Sequence, residues 1–204
     1  MSKQVITINR TYGSNGRLIG KALSERLNIP FYDKELIELV SQECNIPAKE
    51  LEKVDEKRAN QWHLPLKEAM QMEPQYHFRP MNDVLFDAQS TVIRDLAEKE
   101  DCIIVGRCAD YALHNHEKCL NVFIHADKDV RIAEVCKRMD ISVNKAKDMI
   151  QKQDKQRASY YNYYSNKKWG DSRNYHLTLD SSVLGIDGCV DMILACREKM
   201  LEKK

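Results

Sequence analysis

Five short segments of the chain are rich in β-branched or aromatic residues, a composition that favours β-strands. The predicted strands are residues 4–9, 29–32, 102–106, 120–125 and 175–179. The third and fourth are nearly continuous apolar runs, as expected for strands that are covered on both faces of a sheet.

Amphipathic helical patterns lie between these strands. In residues 17–27 and 82–99, apolar residues recur at helical spacing, so that they share one face of a helix. Asp127, Ser142 and Asp187 are predicted N-caps of three further helices. Strands that alternate with helices predict a parallel sheet with right-handed crossover connections.

Two connections are too long for simple crossovers. The one between the second and third strands is about seventy residues long and must contain extra helices. The other, residues 142–171, is dense in lysine, arginine and tyrosine. We therefore predict one core sheet with two helical additions, one before the third strand and one after the fourth.

The balance of charge gives the chain no overall attraction for polyanions. With 32 Lys and Arg against 31 Asp and Glu, the formal net charge is +1. This balance argues against nucleic acid or an anionic membrane surface as a partner, and no apolar run approaches the length of a membrane span. Any anion must therefore be bound by a local cluster of cations.

The cysteines and the N-terminus both predict a cytoplasmic protein. Seven cysteines are scattered through the chain, mostly inside apolar segments. An odd number without regular spacing indicates reduced core thiols rather than a disulfide framework. The apolar stretch at residues 5–8 is too short for a signal peptide.

A turn that contains glycine separates the first strand from the first helix. Such a turn can bind phosphate because its backbone N–H groups point inward and the helix dipole adds partial positive charge. The candidate phosphate-binding loop is Gly13, Ser14, Asn15, Gly16 and Arg17.

This loop departs from the pattern G-x-x-x-x-G-K-[ST] at three positions. Thr11 replaces the first glycine, Arg17 replaces the lysine, and Leu18 replaces the hydroxyl residue that would bind Mg²⁺. Arginine can neutralise phosphate oxygens, whereas leucine cannot bind a metal ion. Two interpretations remain open at this stage, a phosphate site and a plain strand–turn–helix connection.

Three long segments, residues 5–40, 89–113 and 154–188, include the stretches ITINRTYGSNG, IIVGRCADYAL and DKQRASYYNYY. In these segments the chain resembles the cytidylate kinase-like family, a branch related to bacterial cytidylate kinases. The resemblance implies a P-loop NTPase-type, three-layer α/β fold with a five-stranded parallel sheet, a helical NMP-binding insertion and a lid. It also implies transfer of the γ-phosphoryl group of ATP to CMP or dCMP with Mg²⁺.

On this resemblance the whole chain, residues 1–204, forms a single kinase-like domain. The implied parts are a core of residues 1–33, 82–141 and 172–204, an NMP-binding-type insertion of residues 34–81 and a lid-type region of residues 142–171. Asn15 stands where the family is expected to have a glycine. Because asparagine tolerates the left-handed backbone conformation, we expect the loop to keep its shape.

On the donor side, phosphoryl transfer to a phosphate oxygen needs positive charge and positioning rather than a general base. The resemblance implies Arg17, Arg131 and Arg157 as catalytic cations. It implies Lys152, Lys155 and Arg157 as lid cations that reach the donor phosphates when a lid closes. The alternative for the charged residues of the lid-type region is a solvated helix face.

On the acceptor side, Arg107 follows the third strand at the sheet edge where open α/β folds bind ligands. The resemblance implies Asp33, Arg107 and Asp110 as acceptor-binding residues. Asp110 is included because Cys108 stands where cytidylate kinases have an aspartate. Simpler interpretations stay open, namely a surface ion pair for Arg107 and an N-cap of a helix starting at Lys34 for Asp33. No residue is predicted to bind Mg²⁺, which ATP phosphates and water would hold.

An aromatic cluster lies beside the lid cations and comprises Tyr160, Tyr161, Tyr163, Tyr164 and Trp169. Its rings could stack on a nucleobase or pack a helix onto its own domain, and packing is the favoured interpretation. His114, His116 and Cys119 lack a second ligand pair of the usual spacing, so no metal site is predicted there.

The leading functional prediction is a kinase that uses ATP and Mg²⁺ and phosphorylates CMP or dCMP. One alternative is a nucleotide-binding regulatory or interaction protein with weak turnover or none, which the missing loop lysine and hydroxyl favour. Another is a kinase with a different small-molecule acceptor. The predicted partners are small-molecule nucleotides, and a homodimer stays open.

Overall fold

Five strands form one sheet in this structure, a computed structural model that describes residues 3–44, 47–52, 55 and 81–202. The strands are β1 (Val5–Arg10), β2 (Phe31–Tyr32), β3 (Cys102–Val105), β4 (Cys119–His125) and β5 (Leu177–Asp180). Their order across the sheet is β2-β3-β1-β4-β5, and all neighbouring pairs are parallel. The predicted five-stranded parallel sheet is therefore confirmed.

The central strands alternate between two hydrophobic cores. β1 and β3 are buried along their whole length. Val5 and Ile104 belong to the core on one face of the sheet, whereas Ile6, Ile8 and Ile103 belong to the core on the other face. Because successive strand residues point to opposite faces, continuous apolar runs require helices on both sides.

Helices supply those two outer layers. In the described residues they are α1 (Gly16–Leu27), α2 (Glu35–Cys44), α3 (Ala48–Glu52), α4 (Met81–Lys99), α5 (Ala109–Ala112), α6 (Lys128–Met139), α7 (Val143–Ser165) and α8 (Ser181–Glu202). α1 and α8 contribute to one core, and α2 and α4 contribute to the other. This arrangement is the three-layer α/β fold that the sequence predicts.

The start of the last helix differs from the prediction. α8, Ser181–Glu202, consists of two helical stretches joined across Gly185, whose φ of +65° and ψ of −171° are not helical. The second stretch begins just after Gly185, so Asp187 lies in its first turn, and its prediction as the N-cap is wrong by about two residues. Asp127 and Ser142 occupy the N-cap positions of α6 and α7 as predicted, although neither side chain makes a capping hydrogen bond.

The aromatic cluster packs α7 against the rest of the molecule. Tyr160 and Tyr161 are buried, and the ring of Tyr164 stacks on Phe86 of α4 with centroids 4.0 Å apart. The packing interpretation is confirmed for these tyrosines. Among the described residues, no helix is both long and apolar enough to cross a membrane.

Candidate active site

A cleft of about 650 Å³ lies at the carboxyl ends of the central strands. The connection that follows β1 leads to β2 on one side of the sheet, whereas the connection that follows β4 leads to β5 on the other side. The carboxyl ends of these two neighbouring strands therefore form the topological switch point of the sheet, where open α/β folds bind ligands. The carboxylates that line the cleft are Asp33, Glu52 and Asp55. The cations that line it are Arg10, Arg17, Lys34, Arg107, Arg138 and Arg157. Among the described residues of the lining, positive charge thus exceeds negative charge, which favours an anionic ligand.

The loop after β1 is held in one conformation by backbone and hydroxyl hydrogen bonds. The Thr11 N–H donates to the Ile124 carbonyl at 3.0 Å, and the Ser14 hydroxyl donates to the Thr11 carbonyl at 2.9 Å. Gly13 and Asn15 have φ of +84° and +58°. The prediction that Asn15 adopts the left-handed conformation is therefore confirmed, and the loop curls back toward the helix that follows.

The first turn of α1 presents its backbone amides to the cleft. The helix begins at Gly16, and its N-cap, Asn15, makes no side-chain capping hydrogen bond. The first N–H donated within the helix is that of Ile19, to the Asn15 carbonyl at 2.9 Å. The amides of Gly16, Arg17 and Leu18 are therefore not used inside the helix, and all three residues line the cleft.

Ser14 supports the loop from behind. Its side chain is buried, and it is the predicted loop residue that does not line the cleft. Its carbonyl accepts a hydrogen bond from the Ser181 hydroxyl at 2.8 Å, which ties the loop to the start of α8.

One buried carboxylate, Asp33, gathers three arginines. It accepts hydrogen bonds at 2.7 Å from Arg17 Nε and from Arg107 Nη1, and Arg10 Nη2 lies 3.8 Å away. Burial alone would raise the pKa of Asp33, but the charges of Arg107 and Arg10 and the hydrogen bonds lower it below its usual value. Its own N–H donates to the Glu35 carboxylate, and α2 begins at Glu35. The carboxylate thus lies among arginines rather than on a helix N-terminus.

Arg107 is a buried group and not a surface ion pair. Only 4% of its side chain is exposed, and its two terminal nitrogens lie on Asp33 and on Asp55, the latter at 2.8 Å. Arg107 and Cys108 both have positive φ. This sharp turn directs the guanidinium back to the Val105 carbonyl at 3.1 Å, and such strained backbone is typical of functional sites.

Asp110 lies behind the cleft, outside its lining. It is buried and accepts hydrogen bonds from Asn9 Nδ2 at 2.9 Å and from the Tyr161 hydroxyl at 2.7 Å. Burial raises the pKa of Asp110, although the two hydrogen bonds act in the opposite direction. It joins β1, α5 and α7 and does not contact the predicted acceptor space directly.

Arg131 lies outside the lining of the cleft and acts on the loop. Its Nε donates to the Tyr12 carbonyl at 2.8 Å, and its Nη2 pairs with Asp154 of α7. Asp154 in turn accepts a hydrogen bond from the Tyr12 N–H at 2.7 Å. Arg157 does line the cleft, and its Nη1 donates to the Arg10 carbonyl at 3.1 Å.

This geometry agrees with what the comparison with protein families finds. A sequence model of the cytidylate kinase-like family matches residues 5–183, which is most of the chain. The chain belongs to the cytidylate kinase-like family. No curated protein matches it.

Solved structures share the fold of this cytidylate kinase-like protein. An uncharacterized protein from Eubacterium ventriosum ATCC 27560 is 29% identical, with a TM-score of 0.73 over 96% of this chain and 99% of that one. Shikimate kinase from Bacteroides thetaiotaomicron is 15% identical, with a TM-score of 0.55 over 96% and 98%. A gluconokinase from Sinorhizobium meliloti 1021 is 14% identical, with a TM-score of 0.55 over 98% and 94%. The last two show a common P-loop kinase fold, and membership of the family supports a phosphotransferase.

The face of α7 that lines the cleft does not include Lys152 and Lys155, which were predicted as lid cations. Gln153, Gln156 and Arg157 line the cleft, as expected for positions three and four apart on a helix. Lys152 and Lys155 are exposed and do not line it. The structure therefore does not bring these two lysines together with the loop.

The described residues contain no group of three or more His, Cys, Asp or Glu side chains that could hold a metal ion. Leu18 lines the cleft at the position of the metal-binding hydroxyl and offers no oxygen ligand. Away from the cleft, Cys119 is buried in β4 and donates its thiol to Asn121, and His114 contacts the Tyr111 carbonyl.

Sequence reasoning did not select several residues that the cleft contains. Arg10, Tyr12 and Asp55 were not among the predicted site residues, although each lines the cleft. Arg10 could have been found, because it ends β1 at the ligand-binding edge of the sheet. Asp55 could not, because it lies in a run of charged residues whose partners depend on the tertiary fold.

Proposed function

We propose that this protein is a nucleotide-binding phosphotransferase that transfers the γ-phosphoryl group of ATP to CMP or dCMP. The observation that carries the proposal is the convergence of five arginines and one lysine, together with the first-turn amides of α1, on a single cleft. Phosphoryl transfer depends mainly on such electrostatic stabilisation and on in-line positioning.

On the donor side, the loop amides and the nearby cations would bind the triphosphate of ATP. The amides of Gly16 and Arg17 and the dipole of α1 favour negative charge. We propose Arg17 and Arg157 as catalytic cations, and Arg138, which lies over the same Tyr12 ring as Arg157, as a third cation of the cleft. Arg131 enters as a positioning residue, because it contacts the loop backbone rather than the cleft.

On the acceptor side, Arg107 and Asp33 would orient the monophosphate that receives the γ-phosphoryl group. Arg107 donates hydrogen bonds to Asp33 at 2.7 Å and to Asp55 at 2.8 Å, and this fixed geometry would give a rigid acceptor site. Asp110 would support this side indirectly through Asn9 and Tyr161.

We also propose that the helical additions serve the two substrates separately. Glu52 and Asp55 of the insertion-type region line the acceptor end, and α7 of the lid-type region contributes Arg157. Residues 56–80 of the insertion-type region lie outside the described residues, so its assignment to the acceptor rests on Glu52 and Asp55.

We propose that the protein is located in the cytoplasm, because the six cysteines whose side chains are described are free thiols.

Mg²⁺ enters this proposal as part of the ATP·Mg²⁺ substrate. The donor set of the described residues does not fit a protein-held Mg²⁺ site, since the loop has Leu18 in place of a hydroxyl and both Asp33 and Asp55 are paired with Arg107. We assign no step of the reaction to the ion.

A second candidate is a kinase whose acceptor is a hydroxyl group. Asp33 favours it, because an ionised carboxylate at the end of β2 could orient or deprotonate a hydroxyl. The structural neighbours named shikimate kinase and gluconokinase are consistent with this class. A third candidate is a nucleotide-binding protein without turnover. Arg17 Nε favours it, because this atom donates a hydrogen bond to Asp33 instead of pointing toward the phosphate-binding loop.

The experiment that separates these candidates is a coupled ADP-release assay with ATP·Mg²⁺ and a panel of acceptors. The panel contains CMP, dCMP, UMP, AMP, GMP, shikimate and gluconate, each tested with the wild type and with Asp33→Asn. Turnover with CMP or dCMP that Asp33→Asn lowers by no more than about a hundredfold supports the proposal, because the variant loses the positioning of the arginines but a phosphate acceptor needs no base.

Turnover with a hydroxyl acid that Asp33→Asn lowers by about a thousandfold would instead support the second candidate. No turnover across the panel, with ATP still raising the melting temperature of the protein, would support the third.

A further inference from the structure

We propose that Tyr12 is a positioning residue whose ring holds the guanidinium groups of Arg138 and Arg157 at the cleft, in place for the phosphates of a nucleotide. The inference rests on the proposed function and deepens it on the donor side. Tyr12, Arg138 and Arg157 all line the cleft.

Two guanidinium groups lie over one aromatic ring. The central carbon of the Arg138 guanidinium is 5.2 Å from the centroid of the Tyr12 ring, and that of Arg157 is 5.5 Å from it. Arg138 comes from the last turn of α6 and Arg157 from the middle of α7. A single loop residue therefore sets the position of cations from two different helices.

The ring can do this because the backbone of Tyr12 is itself fixed. Its N–H donates to Asp154 at 2.7 Å, and its carbonyl accepts from Arg131 Nε at 2.8 Å. Arg131 and Asp154 pair with each other, and the side chains of both are largely buried. The Tyr12 hydroxyl also lies 3.4 Å from Met149 Sδ. These contacts fix the ring with respect to both helices.

Positioning matters because arginine is long and flexible. An unrestrained arginine loses much side-chain entropy when it binds a phosphate, whereas one already stacked on a ring loses less. A cation–π contact engages the face of the guanidinium rather than its N–H groups, so it holds the cation in place without replacing hydrogen bonds to phosphate oxygens. The ring therefore strengthens anion binding without contacting the anion.

The same contacts also link the lid-type region to the loop. The Tyr12–Asp154 hydrogen bond joins the phosphate loop directly to α7. The loop, α6 and α7 are thus connected through the contacts of Tyr12, Arg131 and Asp154.

The test measures binding of inorganic tripolyphosphate and of ATP by titration calorimetry. Tyr12→Met removes the ring and keeps apolar volume, Tyr12→Phe restores the ring without the hydroxyl, and Tyr163→Met is a control at an exposed tyrosine outside the cleft. We expect Tyr12→Met to bind both ligands about tenfold more weakly than the wild type. Tyr12→Phe should recover most of the affinity, and Tyr163→Met should not differ from the wild type.

A second measurement uses the wild-type protein and does not depend on a stable variant. In ¹H–¹⁵N spectra of the wild-type arginine side chains, the Nε–H signals of Arg138 and Arg157 should be displaced by the ring current of Tyr12, relative to the signals of arginines that lie over no ring. Equal affinity of Tyr12→Met and the wild type, or no ring-current shift in the wild type, would overturn the inference while the proposed function stands. Failure of the wild type to bind either ligand would overturn both.

Discussion

At the scale of single residues, the site depends on Asp33. This one carboxylate, 6% exposed, accepts hydrogen bonds from Arg17 and Arg107 and lies within 3.8 Å of Arg10. Its charge offsets part of the repulsion among the arginines and keeps them in the cleft. The arginines can then bind phosphate from fixed positions, which is the condition for electrostatic stabilisation of a transition state.

Asp33→Asn should lower the free energy of unfolding by about 3 kcal/mol at pH 7, because it leaves the buried Arg107 with one charged partner fewer. The pKa of Asp33 is lowered in the folded state, so the stability it contributes is present above the unfolded-state pKa of about 4 and is lost as the pH falls through the folded-state value. Urea denaturation of both proteins between pH 3 and pH 7 measures the difference.

The control for this measurement is Asp191→Asn, an exposed carboxylate that pairs with Arg26. It should change the free energy of unfolding by less than about 1 kcal/mol. A difference between the wild type and Asp33→Asn that grows toward low pH would contradict the ion-pair account.

Arg17→Ala should lower kcat/KM for ATP by about a hundredfold, because it removes the cation that stands at the position of the loop lysine. Steady-state kinetics with the acceptor that the panel assay identifies measure this effect. Arg26→Ala is a matched control, since Arg26 lies on the same helix with a similar exposed fraction, 54% against 53%. Equal losses in the two variants would show that Arg17 has no special role.

The sequence could identify only some of these residues. Arg17, Asp33 and Arg107 could be predicted because each follows a strand or begins a helix at one edge of the sheet. Tyr12 and Asp55 could not be predicted. Their roles depend on partners on distant elements, and no local pattern indicates those partners.

At the scale of elements, the loop between β1 and α1 shows why backbone conformation matters. Gly13 has φ +84°, and a Cβ at this position would lie 2.9 Å from the Arg131 carbonyl oxygen and 3.0 Å from Val135 Cγ2. The loop therefore packs directly on α6, and only glycine fits between them. The motif comparison could locate the loop, but not this contact with a helix more than a hundred residues away in the chain.

Gly13→Ala should destabilise the protein by about 2 kcal/mol and weaken ATP binding, because it adds both backbone strain and a steric clash. Gly170→Ala separates the two effects. Gly170 has a similar φ of +75°, but a Cβ added at this position would lie 3.4 Å from Phe123 Cζ, which is an ordinary van der Waals distance. We expect Gly170→Ala to lower the free energy of unfolding by about 1 kcal/mol and to leave ATP binding unchanged. Thermal denaturation and calorimetry measure the two effects. Equal effects on ATP binding would contradict the steric account.

The buried network around Asp110 joins β1, α5 and α7. We predict that its contribution to stability changes with pH in the direction opposite to that of Asp33. Because burial raises the folded-state pKa of Asp110, the wild type loses stability as the pH rises from the unfolded-state value of about 4 through the folded-state value. The free energy of unfolding of Asp110→Asn relative to the wild type should therefore increase from pH 4 to pH 7. Urea denaturation tests this, and a decrease would show that the carboxylate is stabilised as the anion.

At the scale of the whole molecule, the alternation of strands and helices was sufficient to predict a parallel sheet, and the apolar runs at β3 and β4 predicted coverage on both faces. The strand order was not derivable from pattern alone, because neighbours such as β1 and β3 pair across about a hundred residues of chain. That order places the ends of β1, β2 and β3 around one cleft. The net charge of +1 hides this local concentration of arginine.

The most direct test of the central claim is a ³¹P spectrum of the wild-type protein mixed with ATP·Mg²⁺ and either CMP or dCMP. We predict that the signals of ATP and of the monophosphate decline together. The α- and β-phosphate signals of CDP or dCDP should appear along with those of ADP. ATP that remains intact with both acceptors, under conditions where it binds the protein, would contradict the claim that this cleft transfers a phosphoryl group to a cytidine monophosphate.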